Sequence, residues 1–93
     1  MSLYTFILEY CGGTYIAQSK GRTLAKVCAK WSENLDESQI PGLGKKGKES
    51  LARQVLAEPP AQLEETENVW CSAASVHGKL ALITIVKTEA AQG

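Results

Sequence analysis

Ninety-three residues, 44% hydrophobic and 22% charged, suit one small soluble globular domain (1–93) and leave no room for a second. Ten basic and ten acidic side chains cancel, so no overall field draws the chain to nucleic acid or an anionic membrane. Three widely spaced cysteines, Cys11, Cys28 and Cys71, with no Cys-x-x-Cys pair, fit neither a disulfide framework nor a zinc site, and a reducing cytoplasm is the expected setting.

Residues 3–11, LYTFILEYC, are rich in aromatic and β-branched side chains and predict a strand. Gly12-Gly13 predicts a two-residue hairpin turn, with TYIAQS as the returning strand. That turn pairs Cys11 with Thr14 and Tyr10 with Tyr15. Alternation then puts Tyr4, Phe6, Leu8, Tyr10, Tyr15 and Ala17 on the core face, and Thr5, Ile7, Glu9, Thr14, Ile16 and Gln18 on the other.

From Thr23 the period changes from two to 3.6. Leu24, Val27, Cys28, Trp31 and Leu35 form one helical stripe, with Thr23 as N-cap, and this helix is expected to cross the aromatic face. A glycine-turned hairpin followed by an amphipathic helix resembles the HicB-like antitoxin fold over about the first third of the chain. The proline-containing stretch expected before that family's helix is absent here.

The segment 36–47, with one proline and three glycines, predicts a loop. A shorter helix is expected from near Lys48, with Leu51, Val55 and Leu56 inward, ended by Pro59-Pro60. A polar, acidic connection, PPAQLEETEN, follows, and its Glu64, Glu65 and Glu67 with Glu58 form an acidic counterweight to the basic groups. Residues 68–76 and 79–88 then flank His77-Gly78 as a second hairpin, pairing Trp70 with Ile85 and Cys71 with Thr84. The last residues, AAQG, read as a frayed tail.

The expected fold is therefore α+β: a four-stranded antiparallel sheet from two β-hairpins (β-β-α-(α)-β-β), with one long and one short helix packed on one face. The start shows no signal-peptide pattern, and the longest apolar run, LALITIV at 80–86, is too short to span a bilayer.

GLGKKGKES at 42–50 looks like a phosphate loop, but Glu49 stands where a magnesium-binding hydroxyl is required, and no buried strand precedes it. Nucleotide hydrolysis is not expected. A weaker anion or nucleic-acid contact by Lys45, Lys46, Lys48 and Arg53, joined by Arg22, remains as the alternative function. His77 is the sole histidine and sits at a hairpin tip, so a cysteine-dependent enzyme ranks third, with no catalytic residue, metal or cofactor expected.

The second hairpin is apolar on both faces, as in a sheet covered on both sides. Lys79 and Lys87 edge the set containing Trp70, Ala74, Val76, Ala81, Ile83 and Ile85, which places that set outward. The leading expectation is a non-enzymatic protein-interaction domain, a homodimer or small subunit of a complex. Its contact surface is the outer sheet face, with Trp70, Ile83, Ile85, Ile7 and Ile16 as interface residues.

Overall fold

The computed structural model describes residues 2–63 and 66–88. Strands β1 (Ser2–Tyr10) and β2 (Gly13–Gly21) form the first hairpin, followed by helix α1 (Leu24–Asn34). A single 3-10 turn (Glu37–Gln39) leads into helix α2 (Gly44–Ala57) and a two-residue strand β3 (Ala61–Gln62). The second hairpin joins β4 (Val69–Val76) to β5 (Lys79–Lys87). All strands belong to one antiparallel sheet in the order β2-β1-β5-β4-β3.

The α+β architecture with two helices is thus as expected, but the sheet has five strands rather than four. Extended backbone at Glu58, imposed by the proline after it, carries the chain away from α2 and alongside β4. There Ala61 pairs with Cys71 and Gln62 with Trp70. Glu64 and Glu65 and the expected tail at 90–93 lie outside the described residues.

The first hairpin turns one residue earlier than the glycine pair suggests. Cys11 (φ 51°) and Gly12 (φ 82°) make the turn, and the register pairs Tyr10 with Gly13 and Leu8 with Tyr15. Two successive positive φ angles are the type I′ pattern that matches strand twist. Gly13 serves a different purpose: the Tyr15 ring occupies the space that a Cβ on Gly13 would need. The partners move by two residues, not one, so every side chain keeps its expected face. Tyr4, Phe6, Leu8 and Tyr10 are buried.

Helix α1 begins where its cap predicts. The Thr23 hydroxyl accepts from the Lys26 N–H at 3.2 Å, and Val27, Cys28 and Trp31 enter the core. Trp31 stacks on Phe6 with ring centroids 4.9 Å apart and planes 7° from parallel.

Helix α2 starts at Gly44, a full turn before the expected Lys48. Ile40 and Leu43 are buried and fix the entry to the helix. Gly47 lies inside the helix because His77 and Leu43 press against it: a Cβ there would stand 2.9 Å from the His77 Nε2. Leu51 and Val55 are buried as expected, but Leu56 is half exposed.

The second hairpin has the expected register, with Trp70 opposite Ile85, Cys71 opposite Thr84, and His77 (φ 54°) and Gly78 (φ 75°) at the turn. Its faces are the reverse of the expectation. Pairing of β1 with β5 sets Ile85 beside Phe6 and Ile83 beside Leu8, so both isoleucines are fully buried beneath the helices. Trp70 is half-buried, packs against the same core and meets Tyr4 at a ring-centroid distance of 6.0 Å. The cover that Trp70, Ile83 and Ile85 require is the helix layer itself. Lys79 and Lys87 stand at the strand ends, where long side chains reach water from either face.

Candidate functional site

Reversing the second hairpin changes the composition of the outer face without closing it. Outward positions on β1 and β2 include Ile7 and Ile16, paired with each other, beside Thr5, Thr14 and Gln18. On β5 and β4 they include Leu80, Leu82, Thr84 and Val86, opposite Ser75, Ala73, Cys71 and Val69. Both helices contribute their buried side chains to the core on the opposite face, and β3 extends the sheet in its own plane. Among the described residues, no part of segment 36–66 lies over this surface as a helix or strand.

The row Ile16–Ile7–Thr84–Cys71 runs across the middle of the face. Ile16 and Leu80 are each 66% exposed, a large apolar exposure for strand residues in so small a sheet. Hydroxyls and an amide border this row. Gln18 donates to the Thr5 Oγ1 at 3.0 Å, and the Thr5 and Thr88 hydroxyls share a hydrogen bond of 2.6 Å. These groups satisfy one another across neighbouring strands, so they bring few unmet hydrogen-bonding needs to a contact.

Of the five interface residues expected from sequence, Ile7 and Ile16 lie on this face, and Trp70, Ile83 and Ile85 lie on the other. Leu80, Leu82, Val86 and Val69 take their place. The signal that could have found them is the strand pairing itself, because once β5 lies beside β1 the parity of every residue follows.

The basic segment is the opening of α2 rather than a loop. Lys45, Lys46 and Arg53 are exposed, whereas Lys48 pairs with Glu37 at 3.7 Å. Lys45 and Lys48 border a groove of about 610 Å³ between the helices, together with Glu33, Glu37 and Glu49. Three carboxylates against two ammonium groups give this groove no preference for an anion. Asp36 is held below the ordinary carboxylate range by hydrogen bonds from the Ser38 hydroxyl and backbone N–H, and further by the charge of Lys48.

Burial raises the Cys28 thiol to about 11, the reverse of what a nucleophile requires. Cys11 is exposed at the first turn, and Cys71 is half-buried on the outer face. The His77 Nε2 lies 2.9 Å from the Leu43 carbonyl and ties the hairpin tip to the start of α2. Tyr10 donates to the Val76 carbonyl at 3.1 Å, and burial, then the neighbouring Cys11, raises its hydroxyl above the usual value. Among the described residues no group of three His, Cys, Asp or Glu side chains could hold a metal, and no helix is long and apolar enough to cross a membrane.

Comparison with protein-family models, curated proteins and solved structures finds no match. The functional reading rests on the surface alone.

Proposed function

We propose that this chain is a non-enzymatic protein-interaction domain whose contact surface is the outer sheet face, acting as a homodimer or as a small subunit of a complex. One observation carries the reading: Ile16 and Leu80, each 66% exposed, flank a sheet face that neither helix covers. A contiguous apolar surface of several hundred Å² usually marks an interaction site. Two-fold self-association is the commonest way for a small protein to bury one. The alternative, an anion or nucleic-acid module, draws on the exposed Lys45, Lys46 and Arg53, and loses support from the Lys48–Glu37 pair and the carboxylates beside it.

Sedimentation across a concentration series tests the reading with two variants. Ile16→Glu places a charge on the exposed face and should abolish association while leaving the melting midpoint of the monomer unchanged. Trp70→Glu places a charge against the core and should lower stability by at least about 2 kcal/mol. A wild type that stays monomeric at high micromolar concentration, and captures no partner that Ile16→Glu loses, would remove the proposal.

A further inference from the structure

We propose that the occupant of the outer face is a second copy of this chain, packed so that the Glu9 end of one sheet lies over the Lys20 end of the other. This inference rests on the interaction reading above and specifies its partner and geometry.

The outward positions of β1, β2, β4 and β5 carry one acidic and one basic side chain among the described residues, Glu9 and Lys20. Both are exposed. Lys20 pairs in register with Leu3, six residues along β1 from Glu9, so the two charges lie about 20 Å apart at the strand rise. They cannot meet within one chain. Neither has an ion-pair partner among the described residues, where Lys48–Glu37 is the pair formed.

Two copies meeting face to face are related by a two-fold axis lying in the interface. An axis parallel to the strands lays each end of the sheet over the same end of its partner. Glu9 then shares its end with the partner's Glu9 and Lys20 with the partner's Lys20, and both charges are desolvated without an opposite. An axis perpendicular to the strands, passing between Thr5 and Ile7, midway between Glu9 and the Leu3–Lys20 pair, inverts the partner. The Glu9 end then covers the Lys20 end, and symmetry forms the pair twice. The rows Ile16–Ile7–Thr84–Cys71 and Gln18–Thr5–Val86–Val69 lie on either side of this axis, and each meets the other's copy. Aligned sheets pack with strands within about 30° of one another, which this arrangement permits.

The area is consistent with a stable pair. Four strands of eight or nine residues give a footprint of about 20 by 30 Å, or roughly 600 Å². The accessible area of a pleated, side-chain-covered face exceeds its footprint and approaches the roughly 800 Å² per partner of ordinary specific interfaces. Charges at the rim of such a contact fix its register more than its strength.

Charge exchange tests the geometry. Dimer dissociation constants are measured by sedimentation for wild type, Glu9→Lys, Lys20→Glu and the chain carrying both changes. Glu58→Lys, which shifts net charge equally beyond the end of α2, is the reference. Each single face variant should dimerise about tenfold or more weakly than that reference, because two attractive pairs become repulsive. The doubly exchanged chain should return to the wild-type constant. A wild type that dimerises while single variants match the reference, or a double variant as weak as the singles, overturns the crossed arrangement and leaves the interaction reading standing. A wild type that stays monomeric at high micromolar concentration overturns the second-copy inference, and the interaction reading falls with it only if no partner is captured that Ile16→Glu loses.

Discussion

Cys28 sits on the buried stripe of α1, and its thiol illustrates how a reactive group becomes a packing group. Burial holds it near 11 against a usual value near 9. Below pH 9 the thiol is neutral in both folded and unfolded chains and its contribution to stability is fully present. Above 9 the unfolded chain ionises first, so stability falls until the folded thiol ionises near 11, by about 2 kcal/mol. Denaturant midpoints from about pH 8 to about pH 11 should show this loss, and Cys28→Ala should flatten it. Tyr10, also raised by burial, adds its own loss only above the usual tyrosine value near 10. A pH profile unchanged by Cys28→Ala would mean that this thiol ionises as freely in the fold as in the unfolded chain. Other single residues were misread from sequence because their reason is a neighbour. Gly13 and Gly47 look like turn and loop glycines, yet the Tyr15 ring and the His77 imidazole are what exclude a side chain there. The Gly47–His77 contact spans 30 residues, which no local pattern reports.

The two hairpins differ as elements in how firmly local sequence specifies them. His77-Gly78 sets its turn and register as its composition implies, whereas Cys11, Gly12 and Gly13 all suit the first turn and it forms at Cys11-Gly12. Helix α1 was legible from Thr23 onward because cap and stripe agree. Helix α2 was legible only from Lys48 onward, since glycines at 44 and 47 mask its first turn. The sheet edge was not legible at all. Strand β3 shields β4 at Trp70 and Cys71, the Leu63 N–H donates to the Val69 carbonyl beside them, and further along the Gln54 side chain takes over. Its amide donates to the Ser75 carbonyl at 2.7 Å, and its oxygen accepts from the Ser75 N–H at 2.9 Å. A glutamine thereby imitates one residue of a neighbouring strand and blunts an otherwise open edge. Gln54→Ala should remove both bonds at a cost of about 1–2 kcal/mol. Amide exchange at Ser75 should accelerate more than that at Ile83, in the middle of the sheet, which should rise only by the loss of global stability. Unchanged protection at Ser75 would show that something other than Gln54 closes this edge.

The whole molecule is two layers with one side finished and the other open. Layer and class were readable because hairpin, stripe and hairpin follow in order. Which face of the second hairpin turns inward was not, because apolar residues occupy both and flanking lysines at strand ends do not vote. Strand order decided it: with β1 and β5 adjacent, Ile83 and Ile85 must share the face of Phe6 and Leu8. Placing the helices there leaves Ile7, Ile16, Leu80, Leu82 and Val86 on the face that neither helix covers. The balance of charge points the same way. Ten positive and ten negative groups cancel, and Lys48 is already engaged by Glu37. An association that buries an apolar face with two charge pairs at its rim should weaken only a few-fold as salt rises, since those pairs are screened while the apolar term is not. Phosphate recognition would behave otherwise, losing orders of magnitude between about 50 and 200 mM salt if several phosphates were neutralised. Dimer dissociation constants measured over that range should therefore stay nearly level. Single-stranded and duplex oligonucleotides titrated at low salt should give no saturable binding that changing Lys45, Lys46 and Lys48 to glutamine removes. Saturable, steeply salt-dependent binding lost in that triple variant would transfer the function to the start of α2 and make the open sheet face incidental.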